Sequence, residues 1–287
     1  MKQAIEYLES KAVFMAASNK LENCEKVLLG IPFDATTSFR PGTRLAPYRI
    51  REVSEGIEEY SIYQDRSLET LDFYDAGDII LPFGNVIECM NRIEHIGHYF
   101  LKQGKKLFSM GGEHLISWPL IKSYHQHYPE LVVLQLDAHA DLRDHYLGET
   151  LSHASVMRQA AELLGPRRVF QLGIRSCTGD ELSYAQSHTR IYVDVLLEVL
   201  DQVKELIGSR PVYFTLDIDV LDPAFAPGTG TPEPGGFSSR QVLQLMHQIQ
   251  DLNIVGFDLV EVSPPYDNSE ITSILAAKIL REALLAY

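Results

Sequence analysis

Two segments constrain the fold more than any others: Leu131–Asp141, LVVLQLDAHAD, and Val212–Asp222, VYFTLDIDVLD. Each opens with a nearly continuous apolar run and ends abruptly in carboxylates. A run of that kind reads as a strand buried on both faces, which is the environment of a parallel sheet covered by helices. Further strand candidates are Lys26–Ile31, Leu71–Tyr74, Lys106–Met110, Val169–Leu172 and Ile254–Phe257. Between them lie helix-length segments, including Val86–Leu101, Ser155–Leu164, Val195–Ile207, Ser239–Gln250 and Glu270–Leu285. One start has the spelling of a capping box, Ser238-x-x-Gln241. Alternating strands and helices predict an α/β fold with a mostly parallel sheet. There is no internal repeat and no low-complexity linker. At 287 residues, one domain spanning 1–287 is the simplest organisation.

Two loops interrupt the alternation: Pro32–Pro47, and Val220–Phe237 with its four prolines and four glycines. Structureless loops of that length in a compact domain are usually functional or disordered. Both leave the carboxyl ends of strand candidates, where open parallel sheets bind ligands.

Asp137, His139 and Asp141 stand at i, i+2 and i+4, and in extended backbone these share one face. Asp217 and Asp219 repeat the i, i+2 spacing. In LFSMGGEH, Gly111-Gly112 permits a sharp turn off a strand, and His114 follows. Any one pair would suit an N-cap or a turn. Several ionisable groups at strand ends repel or desolvate badly unless something cationic joins them. Four aspartates and two histidines, with no thiolate, suit a dinuclear site for Mn2+-like ions, with Fe, Co, Ni or Zn as rivals. Two divalent ions would balance four carboxylates, and a bridging water could fall from a pKa of 15.7 towards ~7 to become a nucleophile. His153, twelve residues after Asp141, is a candidate proton donor to a leaving amine, or an ordinary polar residue. Glu261, after the run NIVGF, would bind a cationic substrate group, or form a structural salt bridge to an arginine of the first loop.

The chain carries 39 acidic and 25 basic side chains, a formal net charge of −14. That balance disfavours nucleic acid, whose phosphates need a basic face, and tolerates cationic small molecules. Three cysteines are no disulfide framework, and Cys177 is expected to be buried and inert. The N-terminus does not read as a signal peptide, and no run approaches the roughly 18 apolar residues of a membrane span. Cytoplasmic residence is the default expectation.

Taken together, GGEH (111–114), DAHAD (137–141), SHASVM (152–157), the string 217–236 and EVSPPYD (261–267) resemble the ureohydrolase family of arginases and agmatinases. FRPGTRLAP (39–47) and GIRS (173–176) match too. The resemblance implies a three-layer α/β/α sandwich and two Mn2+ per chain. It implies one ion on His114, Asp137, Asp141 and Asp217, and the other on Asp137, His139, Asp217 and Asp219. His153 falls on the family's proton-transfer histidine and Glu261 on its guanidinium-binding glutamate. Glu113 stands where aspartate is commoner. The implied reaction is metal-hydroxide attack on a guanidinium carbon, releasing urea, in a homotrimer or homohexamer. Arg143 occupies a position where the arginases carry asparagine, and Ser176-Cys177-Thr178 replaces their acidic stretch. These departures favour agmatine, giving putrescine for polyamine biosynthesis, over arginine. N1-aminopropylagmatine and 4-guanidinobutyrate are the nearest alternative substrates, with free guanidine and formiminoglutamate further off. A metal-binding pseudoenzyme is disfavoured because all six ligands, His153 and Glu261 are present, and a metal-dependent phosphoesterase, conceivable from the ligand types, because a neutral cage with Glu261 favours a cationic substrate over a phosphate.

Overall fold

The strand-forming runs assemble, in a computed structural model describing residues 2–18 and 20–287, into one nine-stranded sheet. The strands are β1 (Leu8–Glu9), β2 (Lys26–Gly30), β3 (Tyr60–Ser61), β4 (Arg66–Ser67), β5 (Phe73–Ile79), β6 (Lys106–Met110), β7 (Val132–Leu136), β8 (Val169–Ile174), β9 (Arg190–Val193), β10 (Val212–Asp217) and β11 (Ile254–Val260). The helices are α1 (Lys2–Ile5), α2 (Ala46–Ser54), α3 (Val86–Leu101), α4 (Ser117–His127), α5 (Val156–Leu164), α6 (Gly179–His188), α7 (Leu200–Ile207), α8 (Ser239–Gln248) and α9 (Ile271–Ala286). Sheet order is β1-β5-β2-β6-β11-β10-β7-β8-β9. Among the described residues, only β1 runs antiparallel to its neighbour within this sheet. β3 and β4 form a separate hairpin.

Every residue of β7 and β10 is buried, as their apolar runs require. Their side chains alternate between two cores. Val132, Leu134, Phe214 and Leu216 pack with α2, α7, α8 and α9, whereas Val133 and Tyr213 pack with α3, α4 and α5. Helices therefore cover both faces. Among the described residues no helix is long and apolar enough to cross a membrane.

The differences from the sequence reading have local causes. The strand expected at Leu71–Tyr74 runs from Phe73 to Ile79. Its later residues include Asp75 and Asp78, which look unlike core until the buried Arg51 is seen pairing with both at 2.8 and 2.6 Å. The first loop ends earlier than Pro47, because Thr43–Leu45 forms a 3₁₀ turn running into α2. Pro47 sits in the first turn of α2, where its missing N–H costs nothing. The helix expected over Val195–Ile207 is a 3₁₀ turn, Leu197–Val199, followed by α7. The capping box at Ser238 and Gln241 is present. The second long loop is pinned rather than slack. The Arg175 guanidinium donates to the carbonyls of Asp219 and Glu233, each at 2.7 Å.

A buried polar knot fastens the β3–β4 hairpin to α9. Glu282, with no exposed surface, accepts from Ser61 Oγ and Gln64 Nε2 at 2.8 Å and lies 2.9 Å from His247 Nε2, beside Arg281. Burial opposes its charge, but these partners outweigh burial and hold its pKa down to about 2, against an ordinary 4.5. A carboxylate whose folded pKa is depressed contributes stability above its unfolded pKa and loses it as pH falls through the folded one. Glu282→Ala is therefore expected to lower stability at pH 7 by about 3–5 kcal/mol, as for a buried ion pair stripped of one partner. Urea denaturation at pH 7 and at pH 2 checks this. The difference between variant and wild type should shrink at the lower pH, and an equal loss at both would exclude the ionic knot as its cause.

Candidate metal centre and pocket

The consecutive strands β6 and β7 are separated in the sheet by β11 and β10, which come later in the chain. Register then sets their carboxyl ends level. Leu136 lies beside Leu216, Leu216 beside Leu259, and Leu259 beside Met110. The next residues off these four ends lead to Asp137, Asp217, Glu261 and the Gly111-Gly112 turn before His114.

The turns are locally encoded. Gly111 and Gly112 adopt φ of +84° and +81°. A Cβ on Gly112 would lie 2.5 Å from the Ile31 carbonyl oxygen, so only glycine lets the chain reverse there. Asp137 Oδ1 accepts the His139 N–H at 2.6 Å, and Asp217 Oδ1 accepts the Asp219 N–H at 2.9 Å. These turns correct the expectation of extended alternation. The strand stops at Leu136, Asp141 has φ +53°, and Ile218–Val220 is a 3₁₀ turn. The aspartates meet because the chain curls around them, not because a strand presents one face.

His114 Nδ1 lies 3.0 Å from Asp137, 3.1 Å from Asp141 and 3.3 Å from Asp217. It is fully buried and, among the described residues, makes no hydrogen bond, while Nε2 lies 3.0 Å from Thr215 Oγ1. A nitrogen orphaned among three carboxylate oxygens is the arrangement a cation would complete. His139 Nδ1 lies 2.9 Å from Asp219 Oδ2. Among the described residues, two donor groups emerge, His114/Asp137/Asp141 and Asp137/His139/Asp219, sharing Asp137.

The electrostatics agree with the geometry. Burial, then the Asp137 charge, pushes Asp141 up to about 7. Burial, then Asp219 and Asp137, raises Asp217 well above the carboxylate range. Burial works against a charged His139, but Asp219 and Asp137 carry its pKa up to about 12. The cluster holds more negative charge than it can keep and draws in protons. Divalent cations would take their place. The oxygen-and-imidazole donors therefore fit a pair of such ions.

A cavity of about 240 Å³ opens over the cluster. His139, Asp217, Asp219, His153, Glu261 and Arg143 face it, with His114 and Asp137 beneath. Glu261 is buried at φ +64°, and its Oε1 accepts the His114 N–H at 2.8 Å. Burial, then the neighbouring Glu113, raises its pKa well above the usual range. It pairs with no arginine of the first loop among the described residues. Burial pushes His153 down to about 4. Arg143 stands 3.1 Å from Glu181, over the Tyr146 ring. Cys177 is exposed at the cavity wall, contrary to the buried site expected for it.

Several supporting groups lie outside the motifs. Gln135 Nε2 donates to Asp137 Oδ2 at 2.7 Å, and Gln171 Nε2 donates to Gln135 Oε1 at 2.7 Å. Thr215 meets His114, and Thr36 and Ser38 meet His153. Polar residues inside apolar strands, at 135, 171 and 215, were the available hint.

Comparison with known proteins agrees. The chain is 49% identical over 281 residues to the agmatinase of Bacillus subtilis, covering 97% of each. The structure of the agmatine ureohydrolase of Thermoplasma volcanium superposes with a TM-score of 0.87 at 33% identity, over 99% of this chain and 97% of that one. The proclavaminate amidino hydrolase of Streptomyces clavuligerus superposes at 0.88 and 35% identity, over 98% of each. The arginase-family model matches residues 25–286. With that match, and with a large parallel sheet carrying an acidic donor cluster at its centre, the chain belongs to the arginase family.

Proposed function

We propose that the protein is an agmatine ureohydrolase, hydrolysing the guanidinium group of agmatine to putrescine and urea with two Mn2+ per chain. The observation that carries this reading is Glu261. It is a buried carboxylate facing the cavity above the donor cluster, and among the described residues no lysine or arginine forms an ion pair with it. A planar guanidinium supplies both the missing charge and paired donors. The 49% identity to an agmatinase supports agmatine as the particular substrate.

His114, Asp137, Asp141 and Asp217 would hold one ion, and Asp137, His139, Asp217 and Asp219 the other. When bound, the ions would lower the pKa of a water so that a nucleophile exists at neutral pH. The chain does the rest. Glu261 binds and orients the guanidinium so that its carbon faces the cluster. Water addition makes that carbon tetrahedral, and collapse to urea requires a proton on the departing amine nitrogen. His153, neutral at pH 7 because burial depresses its pKa, takes up the proton released on addition and returns it to that nitrogen. Arg143 would favour a carboxylate-tailed substrate such as 4-guanidinobutyrate, but its charge is met by Glu181 at 3.1 Å. A single domain, cytoplasmic residence and homotrimeric or homohexameric assembly complete the reading. The last rests on the family resemblance and is checked by light scattering.

Urea release from agmatine, N1-aminopropylagmatine, 4-guanidinobutyrate and arginine by the Mn2+-loaded protein tests the reading. Agmatine is expected to give the highest kcat/KM, with about two ions per chain by elemental analysis. Urea from none of the four would overturn the activity, and a preference for arginine would overturn the substrate.

A further inference from the structure

Glu113 is the one departure within the GGEH motif, and it does not point at the donor cluster. It has no exposed surface. Its backbone N–H is fixed to the Phe33 carbonyl at 2.7 Å, so its side chain extends towards the first long loop. There one oxygen accepts the Thr36 backbone N–H at 2.9 Å and the other accepts the Thr36 hydroxyl. Thr36 Oγ1 in turn accepts the backbone N–H of His153 at 3.1 Å and lies 3.5 Å from its Nδ1. Ser38 Oγ, on the same loop, lies 3.4 Å from Nε2, and the Tyr146 ring meets the imidazole edge-on.

We infer that Glu113 and Thr36 are positioning residues for His153, a carboxylate–hydroxyl–imidazole chain that sets where the transferred proton is held. The direction of donation gives the chain its meaning. The Thr36 hydroxyl spends its hydrogen on Glu113, so its oxygen is left as an acceptor towards His153. It takes the backbone N–H and favours a proton on Nδ1. Nε2 is then the nitrogen that exchanges protons on the other side of the ring, beside Ser38. The turn that carries His114 into the donor cluster therefore also carries, one residue earlier, the group that seats the proton-transfer histidine.

The inference rests on the proposed ureohydrolase reading, and a double-mutant cycle separates the two. kcat and KM for agmatine are measured on Mn2+-loaded wild type, Thr36→Val, His153→Ala and the double variant, with metal content and Tm for each. Thr36→Val is expected to lower kcat roughly 10- to 100-fold, the cost of a misplaced catalytic group, with KM and metal content unchanged. Thr36→Ser, which keeps the hydroxyl, should restore kcat to within about threefold. In the His153→Ala background Thr36→Val should cost nothing further. Should Thr36→Val lose its fold by Tm, the same cycle is run with Glu113→Gln, which leaves one Thr36 proton without its carboxylate acceptor. Equal fold losses in both backgrounds, or a wild-type kcat in Thr36→Val, would overturn the chain while leaving the ureohydrolase reading in place. A wild type that releases no urea would instead overturn that reading.

Discussion

Asp217→Asn is expected to abolish urea formation, lowering kcat/KM at least roughly 10³-fold, because the chemistry loses several kcal/mol when the ions are lost. The more telling result is in stability. In the metal-free protein Asp217 is a burden: burial and the charges of Asp219 and Asp137 raise its pKa well above the usual range. A carboxylate whose folded pKa exceeds its unfolded one costs stability at pH 7. Asparagine removes that cost and keeps an oxygen for the Asp219 N–H. The metal-free variant should therefore melt no lower than the metal-free wild type. Wild type should gain about 2.7 kcal/mol for each ion bound at a free Mn2+ concentration a hundredfold above its dissociation constant. The variant should gain little. Calorimetry with and without Mn2+ reads both. An equal Mn2+-dependent rise in Tm for the two proteins would remove Asp217 from the metal centre.

Glu261→Gln is expected to lower kcat/KM for agmatine by roughly 10²- to 10³-fold, the range for breaking a buried charged hydrogen-bonded pair. Glutamine matches the shape and retains an acceptor for the His114 N–H, held at 2.8 Å in the wild type. It loses the charge and turns a donor towards a guanidinium that has only donors. Metal content and the Mn2+-dependent Tm rise should stay as in wild type, which separates this variant from Asp217→Asn. A kcat/KM within threefold of wild type would place the guanidinium elsewhere.

The donor set was legible because its members lie in short stretches directly after buried strands: Asp137, His139 and Asp141 after β7, Asp217 and Asp219 at the end of β10. Their geometry was not. Alternation predicts a shared face, whereas the Asx turns at Asp137 and Asp217 and the positive φ of Asp141 bring the oxygens together. Buried ionic pairs were likewise hidden. Asp75 and Asp78 broke the apolar pattern of β5, and their partner Arg51 lies on α2. Thr36 carried no signal, because a threonine's partner 77 residues away leaves no trace in its neighbourhood.

The sequence by itself determined which segments are strands covered on both faces and which side chains stand at their ends. Both are local: burial imposes apolar runs, and a turn imposes its own residues. Tertiary structure decided that β11 and β10 enter the sheet between β6 and β7, with their carboxyl ends level. That choice makes one site from four separate motifs. It also seats Thr36 between Glu113 and His153. Parallel strands joined by helices can pair in many orders with the same local patterns. The order is fixed by packing two helical layers against the whole sheet, a property of no single segment.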